Sequence, residues 1–166
     1  MLSFLCLVVV LFLIVGCLAL WAHNFVSNLV KDELTAQKIY FPEKGSSALN
    51  PATYPDLQQY AGQLVDTPEK ARAYANGFIG RHLKKISNGK TYAEISAASM
   101  KKKKKKKLHQ QKELLFQGET LKGLLLMGGY GFGTIGKIAG MVAYVALASG
   151  SILLTAALFL VLGRVN

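Results

Sequence analysis

Two long uncharged runs dominate the pattern of apolar and polar positions along the chain. The first covers 1–22, consists almost entirely of apolar residues and ends beside Trp21. The second covers 138–162, with Lys137 before it and Arg164 after it. A helix over the first run is roughly 33 Å long, and a bilayer's hydrocarbon core is about 30 Å thick. We therefore predict an all-α membrane protein with transmembrane helices over 1–22 and 137–163.

The segment between the two runs, 23–136, predicts a small helical extramembrane domain. Its stretch 40–55 holds three prolines among small polar residues and predicts an irregular connection. A helix is predicted to begin at Pro68, capped by Asp66 or Thr67, and to stop at Gly89. His82 falls on the apolar face of that helix at steps of three and four, which predicts a buried, hydrogen-bonded side chain.

Two further helices are predicted before the second span. Thr91 and Glu94 have the spacing of a capping box, so a helix should begin there, with Ile95 and Met100 facing inward. From Leu108 the pattern again favours a helix, which we expect to run into the second span as one long amphipathic helix. Its apolar stripe is predicted to contain the following leucines: Leu114, Leu121 and Leu125.

Six glycines between Gly128 and Gly140 are candidates for close helix packing. A phosphate-binding loop would follow a strand and end in Gly-Lys-Ser/Thr, and the sequence shows neither the strand nor this ending. Small residues four apart instead let helix backbones approach closely in lipid. The partner would be the first span or a neighbouring copy. The predicted packing and assembly residues are Gly129, Gly133, Gly136 and Gly140, and the predicted membrane-interface anchors are Trp21, Tyr130, Phe132, Lys137 and Arg164.

The net charge of +11 depends on one unusual segment. Seven of the 20 basic residues form the run Lys101 to Lys107, and without it 13 basic residues stand against 9 acidic ones. The run is a solvated linker, a patch for anionic lipid or nucleic acid, or a placeholder for unidentified residues. Because these alternatives stay open, we predict no nucleic-acid partner from it.

Both cysteines, Cys6 and Cys17, lie in the first span and cannot cross-link the domain. The segment Ile14 to Cys17 is similar to a bacterial lipobox, in which the cysteine becomes lipidated. However, the apolar run continues past Cys17, and no basic residue precedes it. An uncleaved anchor is therefore the better interpretation.

Residue patterns for catalysis or metal binding are missing from the sequence. The three histidines, His23, His82 and His109, are far apart and lack HExxH or Cys-x-x-Cys contexts. Neither apolar run carries an ionisable side chain within it, which argues against a proton or ion pathway. We therefore expect a non-enzymatic protein with no cofactor and no metal.

The charge distribution and the position of the first apolar run favour opposite orientations. Lysines near the spans favour a cytoplasmic domain, but this rule weakens for loops longer than about 60 residues. An apolar run at the start of the sequence favours export of the segment after it. We predict a two-pass protein of the bacterial plasma membrane with an extracytoplasmic helical domain and cytoplasmic termini.

Segments 89–94 (GKTYAE) and 115–126 (LFQGETLKGLLL) resemble a family of small actinobacterial membrane proteins. The resemblance extends along most of the chain and implies two spans around a helical extracytoplasmic domain. Lys122 stands where arginine is common, and Met127 to Gly129 departs from the family's Asn-Ala pair. Members often carry the automatic label aromatic ring-opening dioxygenase. This sequence lacks the two histidines and one carboxylate, suitably spaced, that such iron chemistry needs.

These features favour an assembly function. The main hypothesis is a self-associating scaffold or an accessory subunit of a larger membrane complex. One alternative is a module that binds a lipid or quinone-like ligand near Tyr74, Phe78 and Leu121. Another is an oligomer that forms a pore or filament.

Overall fold

The computed structural model describes residues 2–101 and 106–165, so part of the lysine run lies outside the described residues. The chain is 83% helical, and two long apolar helices flank a helical middle region. Within the described ranges there is no strand, only an isolated antiparallel bridge between Tyr40 and Leu64. The predicted all-α class is therefore confirmed.

The described chain contains six α-helices, two 3-10 helices and two π-helical segments, joined by turns and irregular connections. In order they are α1 Leu2–Ala36, the 3-10 helices Ser47–Leu49 and Pro55–Tyr60, α2 Pro68–Arg72, the first π segment Ala73–Ile79, α3 Gly80–Ser87, α4 Tyr92–Lys101, α5 Lys106–Leu124, the second π segment Leu125–Gly131 and α6 Phe132–Val165.

Within the described residues, two helical stretches are long and apolar enough to cross a membrane. They are Ser3–Ala36 and Lys106–Gly163, and the second joins α5, the second π segment and α6 into one helical run. Only 11% and 17% of their most apolar windows are buried by the rest of the chain. Because a core helix of a soluble domain is mostly buried, this exposure favours a lipid environment.

Contacts divide the chain into two compact units, which we describe separately. The hairpin unit contains Met1–Leu29 and Gly133–Asn166, and the helical unit contains Val30–Phe132. The sequence-based domain boundaries at 22/23 and 136/137 stay predictions.

An aromatic cluster forms one centre of the helical unit's core. Phe41 is 1% exposed and lies between two tyrosine rings, with centroid distances of 5.2 Å to Tyr60 and 5.1 Å to Tyr74. Phe78 extends the cluster, at 5.1 Å from Tyr74 and 5.6 Å from Tyr54. These stacked and edge-on pairs bury large apolar rings together, which is the dominant stabilising term in a water-exposed domain.

Local side-chain caps set the helix ends as the sequence predicts. The Thr67 hydroxyl accepts a hydrogen bond from the Lys70 amide at 3.3 Å, and Pro68 begins α2. Thr91 and Glu94 close the capping box, with the Thr91 amide 2.7 Å from Glu94 Oε2 and the Glu94 amide 3.3 Å from Thr91 Oγ1. These bonds satisfy amide groups that the helix itself leaves unpaired.

The predicted apolar faces are partly wrong in the helical unit. His82 is exposed rather than buried, and its ring stacks on Phe78 with a centroid distance of 6.5 Å. The buried positions instead recur at every fourth residue: Ala71, Ala75, Ile79, Leu83 and Ser87. The reason is the first π segment, whose i→i+5 bonding widens the turn and shifts the side chains after it to a different face.

The face predicted for the later helices needs the same correction. Met100 is 67% exposed, although Ile95 is buried as predicted. In the helix before the second span, Leu115 and Leu125 are buried, whereas Leu114 and Leu121 are exposed. Leu115 lies in α5, which packs against α3 and α4, whereas Leu125 lies in the second π segment, which packs against α2. These helix contacts override a leucine pattern that surrounds the helix.

Candidate functional site

The hairpin unit is built on a close contact between α1 and α6, which we call the seam. Small buried residues recur at every seventh position of α6: Gly136, Ala143, Gly150 and Ala157. On α1, Val9, Gly16 and His23 have the same seven-residue spacing. A seven-residue repeat keeps one stripe of a helix facing its partner through a left-handed crossing. Both helices therefore carry the periodicity that a long two-helix contact requires.

The pairing across the seam is antiparallel and very close. A methyl group added at Gly16 would lie 2.6 Å from the Leu147 side chain, and one at Gly150 would lie 3.3 Å from Leu13. Contacts below about 3 Å require atoms to move, so the missing side chains are what admit the neighbouring helix. Van der Waals contact between backbones is the main attraction available to such helices in lipid.

The four glycines predicted for packing all lie in buried positions, but they have different neighbours. Gly136 faces Val26, with an added methyl group 3.0 Å away, and Gly140 faces His23. Gly133 is buried within α6. Gly129 belongs to the helical unit, where an added methyl group would lie 2.8 Å from the Ala71 side chain. Gly136 and Gly140 therefore pack against α1, whereas Gly129 packs inside the helical unit. The assembly role predicted for these glycines stays a prediction.

His23 supplies a polar contact across the seam. Its Nδ1 atom lies 2.7 Å from the carbonyl oxygen of Gly136. The ring also packs against Gly140, where an added methyl group would lie only 2.9 Å from Nδ1. A carbonyl oxygen only accepts, so Nδ1 carries the proton and donates it. The contact ties the register of α1 to that of α6, and it requires glycine at 140.

The predicted interface anchors differ in exposure and in their contacts. Trp21 is 65% exposed and stacks on Phe25 with a centroid distance of 5.6 Å, and Phe132 is 52% exposed. Lys137 is exposed, and Arg164 lies in α6 with a side chain outside the described part. Tyr130 is half-buried, and the Arg72 guanidinium lies over its ring at 4.9 Å. Their role as membrane anchors stays a prediction.

A polar groove of about 600 Å³ lies in the helical unit and was not predicted from the sequence. On one side, Arg81 makes a bidentate ion pair with Asp56, at 2.7 and 2.8 Å. Hydrogen bonding to this guanidinium holds the pKa of Asp56 below its ordinary value and raises that of Arg81. On the other side, Arg72 Nη1 donates to the Tyr130 hydroxyl at 3.2 Å.

A further polar contact in the helical unit joins Ser99 to His109, whose Oγ and Nδ1 atoms lie 3.1 Å apart. Ser99 is 1% exposed, so a substrate has no access to its hydroxyl, and the pair connects α4 to α5. Within 2–101 and 106–165, no group of three or more His, Cys, Asp or Glu side chains is arranged to hold a metal ion.

The chain matches no protein-family model, no curated protein and no solved structure. The resemblance carried by 89–94 and 115–126 therefore stays a prediction.

Sequence reasoning missed His23 and the two arginines of the groove. The available signal for His23 was its seven-residue spacing from Val9 and Gly16, opposite a glycine-rich second span. For Arg72 and Arg81 no local signal existed, because Tyr130 and Asp56 are 58 and 25 residues away along the chain.

Proposed function

We propose that this protein is a two-pass membrane protein that acts by assembly, as a self-associating scaffold or as an accessory subunit of a larger membrane complex. In this proposal α1 and α6 cross the bacterial plasma membrane, the helical unit is extracytoplasmic, and the chain itself performs no catalysis. The length, apolar character and exposure of the two helices support the membrane part of the proposal.

The observation that carries the assembly part is a stripe of small and polar residues on the exposed surface of α6. The stripe consists of Tyr144, Ala148, Ser151 and Thr155, spaced four, three and four residues apart. All four are exposed, and Tyr144 is 65% exposed. The Ser151 and Thr155 hydroxyls bond back to carbonyls of their own helix, at 2.8 and 2.7 Å, so both side chains lie flat.

The exposed surface of α1 differs from this stripe. It carries mainly large apolar side chains, including Phe4, Leu7, Leu11, Ile14 and Leu18. Large side chains suit contact with lipid tails, whereas small and hydroxyl-bearing residues are enriched where membrane helices touch. Because the glycines of the seam are already occupied within the chain, the stripe supports a contact between α6 and a second membrane helix.

Native mass spectrometry of protein extracted gently from its own membrane tests the proposal. We expect a homo-oligomer of uniform copy number, or co-migration with larger subunits. The paired substitution Ala148→Leu and Ser151→Leu should release the single chain, because bulky side chains keep a partner helix away. Ala156→Leu is the matched control, since Ala156 is exposed on another side of α6.

A solitary wild-type chain would contradict the proposal, and so would an assembly that the paired substitution leaves intact. Substituting Gly136 does not discriminate, because it also disturbs the contact with Val26 inside the hairpin unit.

An apolar groove in the hairpin unit favours lipid or quinone binding as a second candidate function. The groove has a volume of about 460 Å³ and lies between α1 and α6. Its lining is apolar: Leu11, Phe12, Val15, Met141, Val142, Val145 and Ala146. An acyl or isoprenoid chain would fit such a surface. Mass spectra of the extracted protein should then show a retained apolar molecule that Ala146→Phe displaces, and its absence would contradict this function.

A further inference from the structure

The polar groove of the helical unit lies where two rare backbone features meet. Asn76 and Gly77 come from the first π segment, Tyr130 comes from the second, and all three line the groove. π-Helical turns are uncommon and occur frequently at functional sites. Two such segments beside one groove therefore single it out from the rest of the unit's surface.

The floor of the groove is firmly packed. Leu57 is 2% exposed and fits against Gly77, where an added methyl group would lie 2.8 Å from its side chain. Tyr60 also lines the groove, and its ring stacks on the buried Phe41. Because these contacts hold the floor in place, the polar groups above it are presented in a defined arrangement.

Two guanidinium groups are held in fixed orientations on the groove. The Arg81 side chain is 40% exposed although both Nη atoms are paired with Asp56, which is itself 52% exposed. Arg72 is held over the Tyr130 ring by a cation–π contact and a hydrogen bond. A planar guanidinium group is pre-organised, so it loses little entropy when it binds a further partner.

The balance of charges in the groove argues against a simple anion as ligand. Two arginines line it, and so do two carboxylates, Asp56 and Glu69. Asn76 adds an exposed amide that has no hydrogen-bond partner in the described ranges. The groove therefore offers donors and acceptors side by side with little net charge.

We propose that this groove binds a saccharide. Each hydroxyl of a sugar both donates and accepts, and neighbouring hydroxyls match the two-pronged geometry of guanidinium, carboxylate and amide groups. The carbon-bound hydrogens of the sugar ring would pack against Tyr60 and Tyr130, the two tyrosines that line the groove. This inference uses the helical unit alone and does not depend on assembly through α6.

The test is a glycan array probed with the full chain in lipid nanodiscs, followed by titration of each glycan bound. Asn76→Ala and Arg72→Lys should each weaken binding by roughly tenfold, since each removes about one well-formed hydrogen bond. Lys84→Ala is the matched control, because Lys84 is an exposed cation on α3 outside the groove, and it should leave binding unchanged. Melting temperatures of the variants check that they remain folded.

Three outcomes would overturn the proposal. The first is that the wild-type chain binds no glycan on the array. The second is that glycan binding is equal in the wild type and in Asn76→Ala, an exposed-residue variant that is expected to fold. The third is that inorganic phosphate displaces the glycan at the same site with similar affinity, which would define an anion site instead.

Discussion

The hairpin unit and the helical unit use opposite ways of bringing helices together. In the hairpin unit the contact residues are small, with Gly16, Gly136 and Gly150 removing the side chains that would separate the backbones. In the helical unit a large ring, Phe41, is 1% exposed and packs against the rings of Tyr60 and Tyr74. Burying a large apolar side chain stabilises structure in water but gains little in lipid, where the surroundings are equally apolar.

The same difference extends to polar contacts. The hairpin unit has a long-range hydrogen bond from His23 to the Gly136 carbonyl. The helical unit has exposed ion pairs and capping bonds, for example Arg81 with Asp56. Salt and water weaken exposed pairs, whereas a bond within an apolar seam has few competing partners. We therefore expect a different kind of substitution to destabilise each unit.

The largest decrease in the free energy of unfolding is expected when the aromatic cluster of the helical unit loses a ring. Phe41→Ala should lower the free energy of unfolding by about 3–5 kcal/mol, because it leaves a cavity among rings that cannot close it. Urea unfolding of the full chain in detergent micelles, followed by near-UV circular dichroism, measures the change.

Phe116→Ala is the control for this prediction. Phe116 is 53% exposed and contacts Tyr92 at a centroid distance of 5.9 Å. A much smaller loss is expected there, and equal losses at both positions would show that enclosure of Phe41 is not what stabilises the unit.

The next effect is overpacking of the seam. Gly140→Leu should destabilise the α1–α6 contact by about 1–3 kcal/mol, since its side chain must enter space occupied by His23. Spin labels introduced with Phe4→Cys and Phe159→Cys, in a background carrying Cys6→Ser and Cys17→Ser, report the separation of the helices in nanodiscs. We expect a longer and broader distance distribution.

Gly163→Leu serves as the control in the same helix, because an added methyl group there meets no atom within 4 Å. If both variants leave the distance distribution unchanged, the close contact at Gly140 does not hold the hairpin.

A smaller effect is expected from the polar contact alone. His23→Phe keeps a ring of similar size but loses the bond to Gly136, which should weaken the seam by about 0.6 kcal/mol and at most about 1.7 kcal/mol. In the wild type, ¹⁵N NMR should find the proton on Nδ1. A neutral ring protonated only on Nε2 would rule out the hydrogen bond described here.

The smallest effect concerns the exposed ion pair and its pH dependence. The pKa of Asp56 is lowered in the folded chain, so the pair stabilises the helical unit above the unfolded pKa, and this contribution disappears as pH falls through the folded pKa. For an exposed pair we expect at most about 1 kcal/mol.

A double-mutant cycle with Asp56→Asn and Arg81→Gln, measured at pH 7 and again in acid, isolates the coupling free energy of the ion pair. The coupling should be present at pH 7 and vanish in acid. A coupling that is the same at both pH values would contradict the assignment to the ionised pair.

Several features could be predicted from the sequence because they depend on neighbouring residues. The two long apolar runs, the cap at Thr67 with Pro68, and the Thr91–Glu94 box all act within one helical turn or one helix. The end of α3 is similar, since Asn88 and Gly89 both adopt positive φ values, 54° and 79°. Residues prone to the left-handed conformation mark such ends locally.

The tertiary structure decided what depends on distant parts of the chain. The first π segment altered which residues of α3 are buried, and no repeat in the sequence indicates a change from i→i+4 to i→i+5 bonding. The polar groove unites Asp56, Arg72 and Tyr130 from three separate elements. The sequence alone determined that this chain is helical with two apolar helices, because periodicity and capping depend on neighbouring residues. The packing partners of each helix depend instead on contacts among residues far apart in the chain, so only the tertiary structure decided them.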